Sequence, residues 1–235
     1  MVLAFSSWSG GKDCCLAGFR AITSGLKVSY LVNMVTEDGN RSRSHGLAAK
    51  WLQMQSQAIH IPLIQHKATR ANYEAEFKKV LLDLKEKGIT EGVFGDIDVE
   101  EHRQWIERVC SEMDIVPRFP LWGEDQTKIV TDFINLGFEA VIVAAKAELM
   151  GEEWLGRKLD EALIADLKKY NITPCGEAGE YHTLVIDGPL FKKRMEIIEA
   201  AKVLREDRWF WEIIRCQLRS KKGLREGETY FCRKK

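Results

Sequence analysis

The sequence predicts an α/β protein: a parallel sheet covered by helices on both faces, followed by a smaller α+β domain. Three observations predict it. Short apolar runs alternate with helical stripes from Val2 to Met113, a glycine pair separates the first run from the first stripe, and the chain reads mainly as strands from Thr183 onward.

The elements follow in order. Val2 to Ser6 is a buried-strand run ending in small polar residues. Asp13 to Ser24 carries Leu16, Phe19 and Ile22 at helical spacing, with Gly25 as its stop. Val28 to Met34 is a second strand, Leu47 to Gln55 a helix and Ala58 to Leu63 a third strand. Tyr73, Phe77, Val80, Leu81 and Leu84 form one helical stripe, ended by Gly88. The strand Val93-Phe94 leads into Gly95-Asp96. Asp98 and Glu101 then form a capping box for a helix with Ile106, Val109, Cys110 and Met113 on one face. The rhythm changes after Pro117 and Pro120. Helix Lys128 to Leu136, strand Glu139 to Ala144 and helix Leu159 to Tyr170 precede strands Thr183 to Ile186, Met195 to Leu204 and Arg208 to Leu218. The expected domains are 1–125 and 126–235, divided near Trp122 to Gln126.

Composition narrows the class. Lys+Arg and Asp+Glu number 35 each among 235 residues, which disfavours a nucleic-acid binder held by phosphate neutralisation. The basic tail, Lys221-Lys222 and Arg233-Lys234-Lys235, reads as a solvated terminus. The longest apolar run, Ala140 to Ala145, is far short of the roughly 20 residues of a spanning helix. The first residues carry no basic n-region. Neither membrane insertion nor export is expected, and the expected location is cytoplasmic. The six cysteines form no C-x-x-C pair, so they read as reduced thiols rather than as a zinc or iron–sulfur site.

Two segments carry chemistry. Ser7-Trp8-Ser9-Gly10-Gly11-Lys12-Asp13 lies after the first strand, where open parallel sheets bind ligands. Its glycines admit positive φ and close backbone approach to an anion, and the amides from Gly10 to Cys14 suit phosphate oxygens. Lys12 adds a mobile positive charge, while Asp13 would hold Mg²⁺ or orient the loop. A Walker loop would need glycine at Ser6 and Ser or Thr at Asp13, and the spacing is wrong for a dinucleotide fingerprint. In the second segment, Glu177-Ala178-Gly179-Glu180-Tyr181-His182-Thr183, two carboxylates, an imidazole and two hydroxyls follow Pro174 and Gly176. Such density suits proton transfer or metal holding.

Ser9-Gly10-Gly11-Lys12-Asp13-Cys14 resembles the S-G-G-x-D-S pyrophosphate loop of the PP-loop ATP pyrophosphatases, with Cys14 in place of the last serine. Taken with Glu177 to Thr183, the chain resembles the diphthine–ammonia ligases and their E-G-G-E-Y-H-T signature, with Ala178 at a glycine position. Gly95-Asp96-Ile97, His102-Arg103, Glu107 and Pro120-Leu121-Trp122 are also similar, so the likeness runs from Phe5 to about Leu190.

The resemblance implies a five-stranded parallel sheet of the PP-loop, HUP-like kind. It also implies ATP-dependent amidation of diphthine, a modified histidine on translation elongation factor two. Ammonium, once deprotonated to ammonia, would displace AMP from an acyl-adenylate, giving diphthamide, AMP and pyrophosphate. ATP would be held by Ser7, Ser9, Gly10, Gly11, Lys12, Asp13 and Cys14, with adenine near Asn33 and Met34 and Mg²⁺ on Asp13. Lys12, Asp13, Glu177, Glu180 and His182 are the catalytic candidates, and His45, Gly95, Asp96, Arg103 and Tyr181 the substrate-binding ones. The acidic cluster, with an aromatic such as Tyr181 or Trp122, would equally suit the trimethylammonium of diphthine. Two alternatives stay open: a PP-loop enzyme adenylating another substrate such as a tRNA base, and a non-catalytic ATP-binding protein. A homo-oligomer is also open.

Overall fold

The computed structural model describes residues 2–221, so Met1, Lys222, Cys232 and the Arg233-Lys234-Lys235 tail lie outside the described residues. Strand β1 (Leu3–Ser7) runs through the middle of a parallel sheet between β2 (Lys27–Val35) and β4 (Glu91–Val93). β3 (Leu63–Lys67) and β5 (Val116–Arg118) form the edges, giving the order 3-2-1-4-5. The five-stranded α/β expectation holds. The order reverses between β1 and β4, so a crevice opens at their carboxyl ends.

Helices α1 (Lys12–Thr23) and α2 (Ala49–Ile59) cover one face, while α3 (Tyr73–Glu86) and α4 (Glu100–Glu112) cover the other. Behind α1 and α2 lies an antiparallel sheet, ordered β7-β6-β9-β8, of β6 (Glu139–Lys146), β7 (Tyr181–Asp187), β8 (Lys193–Arg205) and β9 (Arg208–Ser220). Leu16 and Leu52 from the first half share one core with Ile142 and Leu184 from the second. Each fully buried leucine of this kind stabilises by roughly 2 kcal/mol, so the shared core fixes the two sheets against one another. Helices α5 (Gln126–Asn135) and α6 (Glu161–Lys169) are capped by Asp125 and Asp160, whose carboxylates accept from Lys128 N and Leu163 N at 2.8 Å.

Two local expectations need correction. The third strand is not Ala58 to Leu63: Ala58 and Ile59 close the buried stripe of α2, and His60 ends that helix at φ 59°. The strand starts at Leu63 and reads polar because it is a half-exposed edge. The Asp98–Glu101 capping box does not form. Val99 is the N-cap, with no side-chain cap, and the Asp98 carboxylate accepts from Gln126 Nε2 at 2.6 Å. Pro117 sits inside β5, which an edge strand tolerates because one side of its backbone needs no partner.

Candidate active site

The Ser7 to Asp13 loop leaves β1 and turns directly into α1. Gly10 has φ +81°, and a Cβ there would lie 2.8 Å from Gln55 Oε1. At Gly11 a Cβ would stand 2.5 Å from His45 Cε1. Both positions therefore need glycine, the first for its backbone and the second for space.

The loop is laced to the second sheet. Gly10 O accepts from Val185 N (2.9 Å) and from Gln55 Nε2 (2.9 Å), which also donates to Val185 O (2.7 Å). Gln55 Oε1 accepts from Trp8 Nε1 at 2.9 Å, so this fully buried amide has partners on both its oxygen and its nitrogen. The Lys12 amide donates to Thr183 Oγ1 (3.0 Å) and is not free for an anion in this state.

Lys12 itself corrects the expectation of a mobile charge. It is 4% exposed, and its ammonium donates to Asp13 Oδ2 (2.9 Å) and to the Cys175 carbonyl. Burial alone would lower its pKa, but Asp13 beside it outweighs that and raises it. Asp13 moves up by burial, with Lys12 opposing. Its other oxygen, Oδ1, is buried without a partner.

A cavity of about 510 Å³ opens beside the loop. Ser7, Ser9, Asp13, Cys14, Asn33, Met34, His45, Gly95 and Asp96 line it from the first half, and Glu177 and His182 from the second. Gly10, Gly11, Lys12, Arg103, Glu180 and Tyr181 are not part of that lining. Glu180 is buried, with Oε1 accepting from Thr173 N at 3.0 Å. Tyr181 is buried with its hydroxyl on the Pro174 carbonyl, beneath the loop. Arg103 lies over the Trp122 ring (4.8 Å) and pairs with Glu107. The aromatics that do line the cavity are Trp8, Tyr73, Phe77, Phe94 and Trp105.

The second-strand expectation is also refined. Asn33 Nδ2 is committed to Trp8 O and Ser42 Oγ (both 2.9 Å), and Met34 O accepts from Arg43 N. Cys14 Sγ contacts Gly11 O (3.2 Å) and Ser9 Oγ (3.4 Å), filling the loop from inside. Burial pushes this thiol up, but hydrogen bonds with Cys15, Ser9 and Gly10 prevail and lower it. Gly179 takes φ +74°, whereas Ala178 is not among the positive-φ residues, so its side chain meets no backbone restriction there.

Glu177 is the carboxylate whose pKa rises to about 7, through burial first and then the nearby charge of Asp13. Two imidazoles stand near it. Burial lowers His45 to about 4, assisted by Lys12, and a hydrogen bond to the Thr183 backbone offsets this only in part. His182 is also lowered, by burial and then by His45 and Arg208. Both rings are neutral at pH 7.

Gln55, Thr183, Tyr73 and Trp105 were not among the sequence candidates. Gln55 had a readable signal, being a polar residue on the stripe of Trp51, Leu52 and Ala58. Thr183 stood within the Glu177 segment. Tyr73 belonged to a helical stripe that read as core, and Trp105 precedes Ile106 of the next stripe.

A glycine loop and a cavity at the reversal point of a 3-2-1-4-5 sheet define a doubly wound α/β protein with its candidate site at the carboxyl ends of the strands. Residues 3–117 match the diphthamide synthase N-terminal domain, and residues 125–219 the diphthamide synthase C-terminal domain. The chain belongs to the diphthine–ammonia ligase family, whose named members are ligases. It is 31% identical to the human diphthine–ammonia ligase over 222 residues, covering 83% of this chain and 82% of that one. The rat protein of the same name is 29% identical, with 83% of each chain covered. The fission yeast (Schizosaccharomyces pombe) protein is 28% identical over 81% of this chain, which spans only 35% of that longer relative. A crystal structure from Methanocaldococcus jannaschii, described as a predicted subunit of tRNA methyltransferase, aligns more loosely, with a TM-score of 0.44 and 15% identity over 80% of this chain and 98% of that one. Among the described residues no helix is long and apolar enough to cross a membrane.

Proposed function

We propose that this protein amidates diphthine on translation elongation factor two, using ATP and ammonium and passing through an acyl-adenylate. The supporting observation is that the glycine loop of the first half and Glu177 of the second border one cavity. Loop and base would then serve two successive steps on one carboxyl group, the loop at the departing pyrophosphate and the base at the incoming ammonia.

A carboxylate is a poor acyl donor, so it first attacks the α-phosphate and pyrophosphate leaves. The α1 N-terminus and the free amides of the loop favour the departing negative charge. Mg²⁺ fits Asp13, whose unpartnered buried Oδ1 offers one hard oxygen, the remaining ligands coming from phosphates and water. When bound, the ion would offset phosphate charge. Glu177 is the candidate base, since a carboxylate raised to about 7 takes a proton near neutral pH. Neutral His45 and His182 accept hydrogen bonds from ammonia without repelling ammonium. Lys12 holds Asp13 and the 175 carbonyl rather than reaching outward, and Glu180 shapes the 173–180 turn.

The test mixes purified protein with ATP, Mg²⁺ and ammonium, with and without unamidated elongation factor. AMP that appears only with the factor, alongside its amide, supports the reading. AMP formed with a tRNA in its place favours the other PP-loop activity, and ATP left intact throughout favours a nucleotide-binding protein.

A further inference from the structure

One wall of the cavity has no part in the phosphate chemistry. Tyr73 and Phe77 from α3 meet Trp105 from α4, with ring centroids 5.9 Å (Tyr73–Trp105) and 5.8 Å (Phe77–Trp105) apart. Trp105 Nε1 donates to Glu74 Oε2 at 3.0 Å, which fixes the indole and uses up its only polar atom. Asp96 and Glu177 line the same space. No Lys or Arg is among the described residues lining the cavity, and Lys12, the nearest ammonium in the loop, is turned inward onto Asp13. Among the described residues, the ion pair of Asp96 is with His102 at 3.7 Å. This space is bordered by both carboxylates and aromatic rings, and the Arg43 guanidinium near Tyr73 lies outside the lining, donating to the Ala68 carbonyl at 3.0 Å.

That combination selects among cations. Among the described residues no three His, Cys, Asp or Glu gather to hold a metal. A primary ammonium against the aromatic wall would leave N–H groups without acceptors, at a cost of about 1–3 kcal/mol each. A quaternary ammonium has no N–H to satisfy and is drawn both to ring faces and to nearby carboxylates.

We propose that Tyr73, Phe77 and Trp105, together with Asp96 and Glu177 of the same cavity, form a subsite for a quaternary ammonium group. It rests on the proposed function only for whose ammonium this is, namely the trimethylammonium arm of the amide acceptor. The subsite would seat that arm so that its carboxylate points toward the glycine loop.

The test is calorimetric titration of the full chain with choline and with its uncharged carbon isostere, dimethylbutanol. Choline should bind saturably, and the isostere about tenfold more weakly. Trp105→Leu and Asp96→Asn should each weaken choline about fivefold, with Tyr73→Leu as the check should the tryptophan variant fold poorly. Affinity for a non-hydrolysable ATP analogue should stay within about twofold in Trp105→Leu. Equal binding of choline and its isostere, or no binding of either, overturns the subsite. So does competition between choline and adenosine together with lost nucleotide affinity in Trp105→Leu, which would make the wall a nucleobase platform. Choline binding that depends on these residues, in a protein that never forms AMP, would keep the subsite and remove only the proposed reaction.

Discussion

The imidazoles of His45 and His182 lie one upon the other, ring centroids 4.4 Å apart and planes 14° from parallel. One comes from the loop after β2 and the other from β7, so this stack is a seam between the two halves. It survives only while both rings are neutral, because a proton on either would sit buried beside Lys12 or Arg208.

Acid should therefore open the seam. The His45 pKa lies below its ordinary 6.5, so the unfolded chain takes up that proton first as pH falls. The stability linked to this ring is complete above about 6.5 and is lost as pH drops toward 4. Glu177 works oppositely: raised from 4.5 to about 7, it contributes stability below 4.5 that fades as pH rises to 7. Urea midpoints across this range should fall more steeply with acid in Glu177→Gln and less steeply in His45→Gln. Unchanged slopes in both would refute the linkage.

Glu177→Gln should also separate two steps. Exchange of labelled pyrophosphate into ATP, with the elongation factor present, should persist, while amide formation drops roughly 100-fold or more. In the parent the amidation rate should rise through pH 7 as the carboxylate ionises, and this rise should vanish in the variant. Loss of exchange and amidation to the same degree would remove Glu177 as the base.

Gln55→Ala strips partners from Trp8 Nε1, Gly10 O and Val185 O at once, although the Gly10 carbonyl keeps Val185 N. Stability should fall by about 2–4 kcal/mol in urea titration. Nucleotide affinity should fall with it even at temperatures where the variant is fully folded.

Gly11→Ala places a methyl against the His45 ring, and Gly10→Ala forces a side chain into positive φ. The second carries a backbone cost of about 1–2 kcal/mol in addition to the clash. Both should fold with weakened ATP binding. Gly11→Ala should recover in part when paired with His45→Ala, measured as a double-mutant cycle.

Lys12→Met should cost roughly 3 kcal/mol, because it strands Asp13 beside the buried 175 carbonyl. A fully stable variant would return Lys12 to the role of a mobile charge.

Local chemistry was enough to read the glycine loop, the strand–helix alternation and the acidic segment, since a positive-φ turn or a helical stripe is written in adjacent residues. Ser9 to Cys14 and Glu177 to His182 were legible for that reason. Which of those side chains face the cavity was not legible, because it depends on pairs far apart in sequence. The Lys12 amide meets Thr183 across 171 positions, and Gln55 reaches Val185 across 130. Packing of the second sheet on α1 and α2 turned Lys12, Glu180 and Tyr181 inward, and it left Asp96 and Glu177 lining one cavity with aromatic residues from two helices. Burial selects among polar groups only after the sheets have met, so the tertiary structure alone decided which charges remained exposed to a ligand.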